Sequence, residues 1–417
     1  MHELLVRPAL LGSLVLLTTQ LFACASESSS ANKLNTDASN IVELPVSEQL
    51  ATPAPNSQST MNVLVVSFLP TRDGEFIDVQ QATGFHELGT IRLSSVIERI
   101  DNFNHAGKYM LEEGSRFRGY SDANAAPFLG YQIKRHLLIY EQIPSALAFP
   151  INPNASHVRY QPDYHAVFDR FNLGTYINEH EIDEVWLWYG EPATPDFPSF
   201  EPELHGDTKA PVGFVESNMS SPTTGDISNS RRFADDLPVL DHTYVVYAHN
   251  FRRSQNEMVH NHGHQLEAVL KHAATMQDGT DELFTQKFVG WGANGEPPLG
   301  RAGNTHFPVN TTVDYDYRNT TPVASDIEDW RPDGTGASKN LSALYWANLP
   351  YQWPEYMALE NLAEPGWYVY WMQNMPGYGN TIPYLSPNTY MTNWWIFTAD
   401  WDYAMSQGIG LHGQLPD

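Results

Sequence analysis

Between Val259 and Glu267 the chain reads Val-His-Asn-His-Gly-His-Gln-Leu-Glu, which places histidines at positions 260, 262 and 264. On a helix, His260, His264 and Glu267 stand at i, i+4 and i+7, one above another on one face. Two imidazoles at that spacing can share a metal ion, as in helical zinc sites, and a carboxylate can add a third ligand. His306, in Gly303-Asn304-Thr305-His306-Phe307-Pro308, sits in a loop bounded by Gly and Pro and is the candidate fourth ligand. A divalent metal such as zinc, held by His260, His264, Glu267 and His306, would lower the pKa of bound water toward neutrality and polarise a scissile bond. His262 points instead toward the apolar side of the same helix, with Val259 and Leu266. The H-E-x-x-H pattern of metalloproteases is not met, because Asn261 follows His260. A general base would come from elsewhere, and Glu191 and Glu216, near expected strand ends, are the candidates.

Other groupings suggest other chemistry. Asp314-Tyr315-Asp316-Tyr317 and the loop from Asp326 to Asp333 are rich in carboxylates of the kind that ligate calcium, although the spacing is not that of an EF-hand. Glu191 and Glu216 would also serve as the acid and base of a metal-free glycosidase, whose carboxyl pairs lie about 5 to 9.5 Å apart. The chain holds 11 Trp, 21 Tyr and 19 Phe, dense at Tyr345-Trp346, Tyr351-Gln352-Trp353, Trp367 to Trp371 and Trp394-Trp395. Such rings stack on sugar faces where they are exposed and build cores where they are not. A P-loop, a strand-linked G-x-G-x-x-G and a G-x-S-x-G nucleophile elbow are all missing, which argues against nucleotide-dependent and serine-hydrolase chemistry.

Positioning these groups falls to an α/β body. Met61 to Leu69 is a nearly continuous β-branched apolar run, as expected of a strand buried on both faces. Similar runs at Arg135–Tyr140, Glu184–Tyr189, Thr243–Ala248 and Trp367–Met372 predict further strands, and Trp394–Phe397 another. Helical spacing from Tyr164 to Phe171 and from Ile177 to Ile182 leads into the Glu184 run. A second helix begins near Ser254, which with Glu257 makes a capping box, and its Val259, Leu266, Leu270 and Ala273 share one face. This alternation predicts an α/β fold with a mixed or mostly parallel central sheet, flanking helices and long aromatic-rich loops. Ligands in such sheets gather beyond the carboxyl ends of strands, which nominates Glu141, Glu191, Asn250, Arg252, Gln373, Asn374 and Asp400 as cleft residues.

The first residues read as an export signal. Arg7 precedes an apolar stretch from Pro8 to Ala23, shorter than the roughly 20 residues that span a bilayer, and Leu21-Phe22-Ala23 leads to Cys24. Cys24 is the only cysteine, so the remaining body has no thiol for a disulfide, a thiolate metal site or a nucleophile. Residues 1–23 are expected to be a signal peptide and Cys24 the site of lipidation by palmitate. Residues 24–60 would form a lipid-anchored flexible linker, and 61–417 a single large α/β domain with a loop-rich C-terminal third. Ala25, following Cys24 where an acidic inner-membrane retention signal would stand, resembles the sorting signal of bacterial outer-membrane lipoproteins.

A formal charge of −26 repels nucleic acid phosphates, so the expected partners are the membrane, through the lipid, and an extracellular polysaccharide or peptide. The leading expectation is thus an exported surface lipoprotein of the bacterial cell envelope, a hydrolase acting on an extracellular polymer through a metal-assisted polar cleft. The alternatives are a non-catalytic lipoprotein binding glycan or protein through exposed aromatic loops, the carboxylate-pair glycosidase, and a structural envelope protein.

Overall fold

The ten residues Ser59–Phe68 form the strand around which the sheet is built, and from Val63 to Phe68 every residue is buried on one face or the other. The computed structural model describes residues 40–79, 81, 91–144, 147–150, 158–190, 216–228, 235–354, 357, 362–385 and 388–415. Its main sheet has seven strands: β1 (Ile41–Leu44), β2 (Ser59–Phe68), β3 (Leu129–Ile139), β4 (Glu184–Tyr189), β5 (Glu216–Ser221), β6 (Gly225–Asp226) and β7 (Tyr244–Asn250), in the order β1-β3-β2-β4-β7-β5-β6. β3, β2, β4 and β7 run parallel, and antiparallel strands close both edges. The expected α/β class and the mostly parallel core are therefore present.

Side-chain alternation along each strand feeds two cores. Leu64, Val66, Phe68, Val185, Leu187 and Val246 pack against two short helices, α2 (Tyr164–Phe171) and α3 (Leu173–His180), which are separated by Asn172 in the left-handed conformation. Val63, Val65, Tyr131, Trp186, Trp188 and Tyr247 face the other way. There they meet α1 (Leu93–Gly114), α4 (Asn256–Asp278) and the C-terminal third of the chain, including α5 (Ala363–Asn374). α1, α4 and α5 also pack against one another.

Four details differ from expectation. Trp367–Met372 forms the heart of helix α5 rather than a strand, with Pro365 in the first turn, where a missing N–H costs nothing. A helix apolar on every side is buried on every side, and a short run of that kind carries no period to separate it from a core strand. Trp394–Phe397 likewise enters a short helical turn, Ile396–Ala399. The stretch read as linker contains β1, paired antiparallel with β3, and a helical turn, Glu48–Ala51, that buries Leu50. The capping box is not made either: α4 begins at Asn256 without a side-chain cap, and Glu257 turns to Arg253, 3.1 Å away.

Among the described residues the tryptophans serve the core. Trp186, Trp188, Trp330, Trp346, Trp367, Trp371, Trp394 and Trp395 are all fully buried, whereas the rings most open to solvent are tyrosines at 315, 378, 390 and 403.

At the amino end of the sheet Asp183 accepts a hydrogen bond from the Asn62 N–H at 2.7 Å and lines a cavity of about 430 Å³ with Asp400 and Asp402. Burial, with help from neighbouring acids, raises its carboxyl to about 7. An acid whose folded pKa exceeds its unfolded value stabilises the fold below the unfolded pKa of about 4 and loses that contribution as pH rises through about 7. Denaturant unfolding from pH 4 to 8 is expected to show this loss, on the order of a few kcal/mol. Asp183→Asn should flatten the profile; an unchanged slope would place the titration elsewhere.

Candidate metal centre

The helix that carries the histidine cluster divides its faces as its periodicity requires. Asn261, His262 and Gln265 turn inward: His262 stacks on Tyr247 with centroids 3.6 Å apart, and its Nε2 lies 3.2 Å from the buried carboxylate of Glu184. Tyr131 and Trp186 donate to the same carboxylate. His262 is thus a core residue, as its place beside Val259 and Leu266 implied. His260 and His264 occupy the opposite face, one turn apart.

His306 reaches them on a loop that is fastened at nearly every backbone atom. The helical turn Leu283–Val289, closed by Gly290, offers the carbonyls of Phe288 and Val289 to the N–H groups of Ala302 and Gly303. Gly303 has φ +66°, and a Cβ there would come within 2.4 Å of the Phe307 carbonyl oxygen, so the turn requires glycine. Asn304 Oδ1 accepts from the N–H groups of His306 and Phe307, closing the tip. From α5, Trp371 donates to the Gly303 carbonyl and Trp367 to that of Asn304, while Tyr317 donates to Thr305. The loop lies against α4 only because residue 263 has no side chain: a Cβ there would stand 2.7 Å from Thr305 Oγ1.

The result is a triangle of imidazole nitrogens. His260 Nε2 lies 2.7 Å from His264 Nε2 and 3.0 Å from His306 Nε2, and the third side is 2.9 Å. Each ring has a carboxylate behind it: Glu257 is 3.8 Å from His260 Nδ1, Glu267 is 3.6 Å from His264 Nδ1, and Asp314 is 3.3 Å from His306 Nδ1. With its proton on Nδ1, facing a carboxylate, each ring would turn its Nε2 lone pair inward. Three inward lone pairs cannot hydrogen-bond to one another, and a cation at their centre could satisfy all three.

The residues fit such an ion. Tetrahedral zinc with Zn–N bonds of about 2.0–2.1 Å separates its ligands by roughly 3.3 Å, within a small side-chain adjustment of the observed triangle. Among the described residues, His260, His264 and His306 are the group of three or more potential ligands that converges in this way.

Burial keeps two of the rings in the neutral, ligating form. It lowers the His260 imidazole to about 2, with the neighbouring imidazoles adding to the effect, and lowers that of His306 as well. For Glu267 burial works in the opposite sense, but the His264 imidazole, Lys271 and the Thr305 side chain outweigh it and hold the carboxyl well below its usual range. Burial raises Glu257 and, on α5, Glu364.

Three of the four residues expected as ligands, His260, His264 and His306, thus come together in a group that could hold a metal ion. Glu267 is not the fourth: one carboxylate oxygen accepts from the Thr305 N–H at 3.0 Å, and the other faces the outer nitrogen of His264. It stands three positions after His264, which carries its side chain to Nδ1 rather than to the centre. The carboxylates expected to hold calcium at Asp326–Asp333 mostly engage protein donors: Asp326 pairs with Arg301, Glu328 with Lys339 and Tyr370, Asp329 with Arg331 and the Ala337 N–H, and Asp333 with Thr335, while one buried oxygen of Asp326 has no hydrogen-bond partner. Among the described residues they do not form a converging ligand group.

Cys24, Glu191 and the side chain of Glu216 lie outside the described residues; the Glu216 backbone opens β5 opposite Ala248. Of the other nominated cleft residues, Glu141, Asn250 and Arg252 do lie at the carboxyl ends of β3 and β7, where Glu141 pairs with Arg170 and Asn250 accepts from the Arg252 N–H. Asp400 instead caps a short helix, and Gln373 and Asn374 are buried at the end of α5.

Glu257 and the spacer Gly263 were not recognised as parts of a site from sequence, and Asp314 was grouped with calcium-type carboxylates rather than with the histidines. The available signals were a carboxylate three residues before His260 and an Asp-Tyr pair shortly after His306. No known family model, no curated protein and no solved structure matches this chain.

The close approach at residue 263 can be tested against helix propensity, which favours Ala over Gly by about 1 kcal/mol. Gly263→Ala is expected to keep or raise helicity yet weaken metal binding at least about tenfold, the scale on which a misplaced supporting group acts. Adding Thr305→Ala, which removes the obstructing Oγ1 and methyl group, should restore most of the affinity in equilibrium dialysis. Equal binding by Gly263→Ala and the unaltered protein would show that the contact is not required.

Proposed function

We propose that this protein is a metal-dependent hydrolase built on a single-ion centre held by His260, His264 and His306. The observation that carries the reading is the convergence of three Nε2 atoms, each ring backed by a carboxylate. Three neutral ligands leave the full charge of a divalent ion available, which supplies Lewis acidity and an acidified water at neutral pH. Glu257, Glu267 and Asp314 orient the rings and raise their basicity. His264 and His306 keep partly open faces beside the exposed Asp314 and Tyr315, so a substrate has access from the loop side.

Burial of the tryptophans supports the hydrolase over lectin-like stacking, because few indole faces remain for sugar rings. The proposed substrate is an extracellular polymer or a fragment of it, consistent with export.

Elemental analysis of the purified protein after supplementation with zinc is expected to give close to one ion per chain, lost in His264→Ala while the far-ultraviolet circular dichroism is retained. Hydrolysis of generic ester, amide and glycoside substrates should fall with the metal. A protein that binds no divalent metal at micromolar concentrations would end this reading.

Cys24, preceded by Leu21-Phe22-Ala23, is proposed to carry palmitate and tether the protein to the bacterial outer membrane. Labelled palmitate should enter the expressed chain and be absent from Cys24→Ser. Equal labelling of both would remove the anchor from the proposal.

A further inference from the structure

Tyr315 stands on the open side of the histidine triangle. Its hydroxyl is 3.1 Å from His306 Nε2, the nitrogen that faces the centre, and the two rings lie 4.3 Å apart. The Tyr315 ring is also 5.7 Å from that of His260. The preceding residue, Asp314, faces the outer nitrogen of the same histidine, and the Tyr315 N–H donates to the His306 carbonyl at 3.0 Å. Asp314 and Tyr315 thus grip one imidazole from both of its nitrogens. To do so, Tyr315 adopts φ +62°, a left-handed conformation unfavourable for an aromatic residue, although its side chain is about half exposed. Strain of this kind persists where surrounding contacts enforce it and clusters at ligand clamps and switches.

We propose that Tyr315 is the fourth, displaceable ligand of the metal centre, which closes the open coordination position until substrate enters. The inference rests on the three-histidine reading above and adds its regulation. An oxygen about 3 Å from a ligating nitrogen is at the separation expected of two ligands on one tetrahedral ion. On coordination, one metal–oxygen bond forms and the phenolic proton passes to solvent. On displacement by a substrate oxygen or water, that bond breaks, the phenolate regains a proton from solvent, and no change of oxidation state occurs. The neighbouring segment gives the displacement a route: Val313, Asp314 and Tyr315 are all exposed, whereas Tyr317, two residues on, is fixed by hydrogen bonds to Thr305 and Tyr368. Strain held at Tyr315 favours release once a competing ligand arrives.

Copper(II) is the probe, because a coordinated phenolate gives it a visible charge-transfer band that imidazole alone does not. One equivalent of copper(II) added to the purified protein is expected to produce the band. Tyr315→Phe should abolish it while still binding one equivalent in equilibrium dialysis, no more than about 100-fold more weakly. Tyr378→Phe, an exposed tyrosine remote in sequence, should leave the band unchanged. Binding of one equivalent without the band, or a band that survives in Tyr315→Phe, overturns the assignment of Tyr315 and leaves the three-histidine centre standing. Failure of the unaltered protein to bind copper(II) or zinc overturns both.

Discussion

Three imidazole lone pairs directed at one point repel, and the surrounding structure exists in large part to hold them there. His260 and His264 need only a helix, whose pitch sets them one turn apart. His306 needs the Gly303 turn, the Asn304 side chain that closes it, two tryptophans that hold its carbonyls and a glycine on α4 that lets it approach. Each contact is individually modest, about 1 kcal/mol for a typical hydrogen bond. Together they fix a backbone that would otherwise relieve the repulsion by moving away. Without a cation, water or a proton would have to separate the three nitrogens, and burial opposes the proton at His260.

The same constraint explains the unusual C-terminal third. Its long segments contain little regular secondary structure, yet many of their bulky side chains are buried and their turns are closed by Asn, Asp and Thr side chains. A loop can be rigid if its polar backbone groups are satisfied and its rings are packed. Here the packing of α5 against α1 and α4 supplies the floor, and the Trp367 and Trp371 N–H groups supply the anchor points for the His306 loop. The aromatic abundance that resembled a sugar-binding surface in the sequence is mostly the means of making an irregular chain rigid.

What could be read from the sequence followed from local rules. β2, β3, β4 and β7 announced themselves as continuous apolar runs, and the His260–His264 pair as helical spacing. Trp367–Met372 did not, because a helix packed on all sides shows no amphipathic period. β1 lay hidden in a polar stretch because an edge strand of four residues, Ile41-Val42-Glu43-Leu44, is too short to show one. The role of Glu267 was misjudged for a geometric reason: periodicity reports which face a side chain occupies, but not which of a histidine's two nitrogens it meets. The closeness of His306 was beyond any local rule, since it depends on contacts across about forty residues of sequence.

Outer carboxylates do more than orient the rings. Glu267 is the most deeply committed of the three, since it lies 3.6 Å from His264 Nδ1 and accepts a hydrogen bond from the backbone N–H of Thr305, the residue before His306. One carboxylate thereby faces one histidine of the group and fastens the loop that bears another. Glu257 and Asp314 each act on one ring, and Asp314 does so from an exposed segment that also presents Tyr315. The centre therefore has a rigid side, built by Glu267, Gly263 and α5, and an adaptable side at residues 313–315. In the proposed hydrolase that asymmetry would serve turnover: fixed ligands on one side would maintain affinity, and a yielding segment on the other would let the coordination position be vacated and refilled.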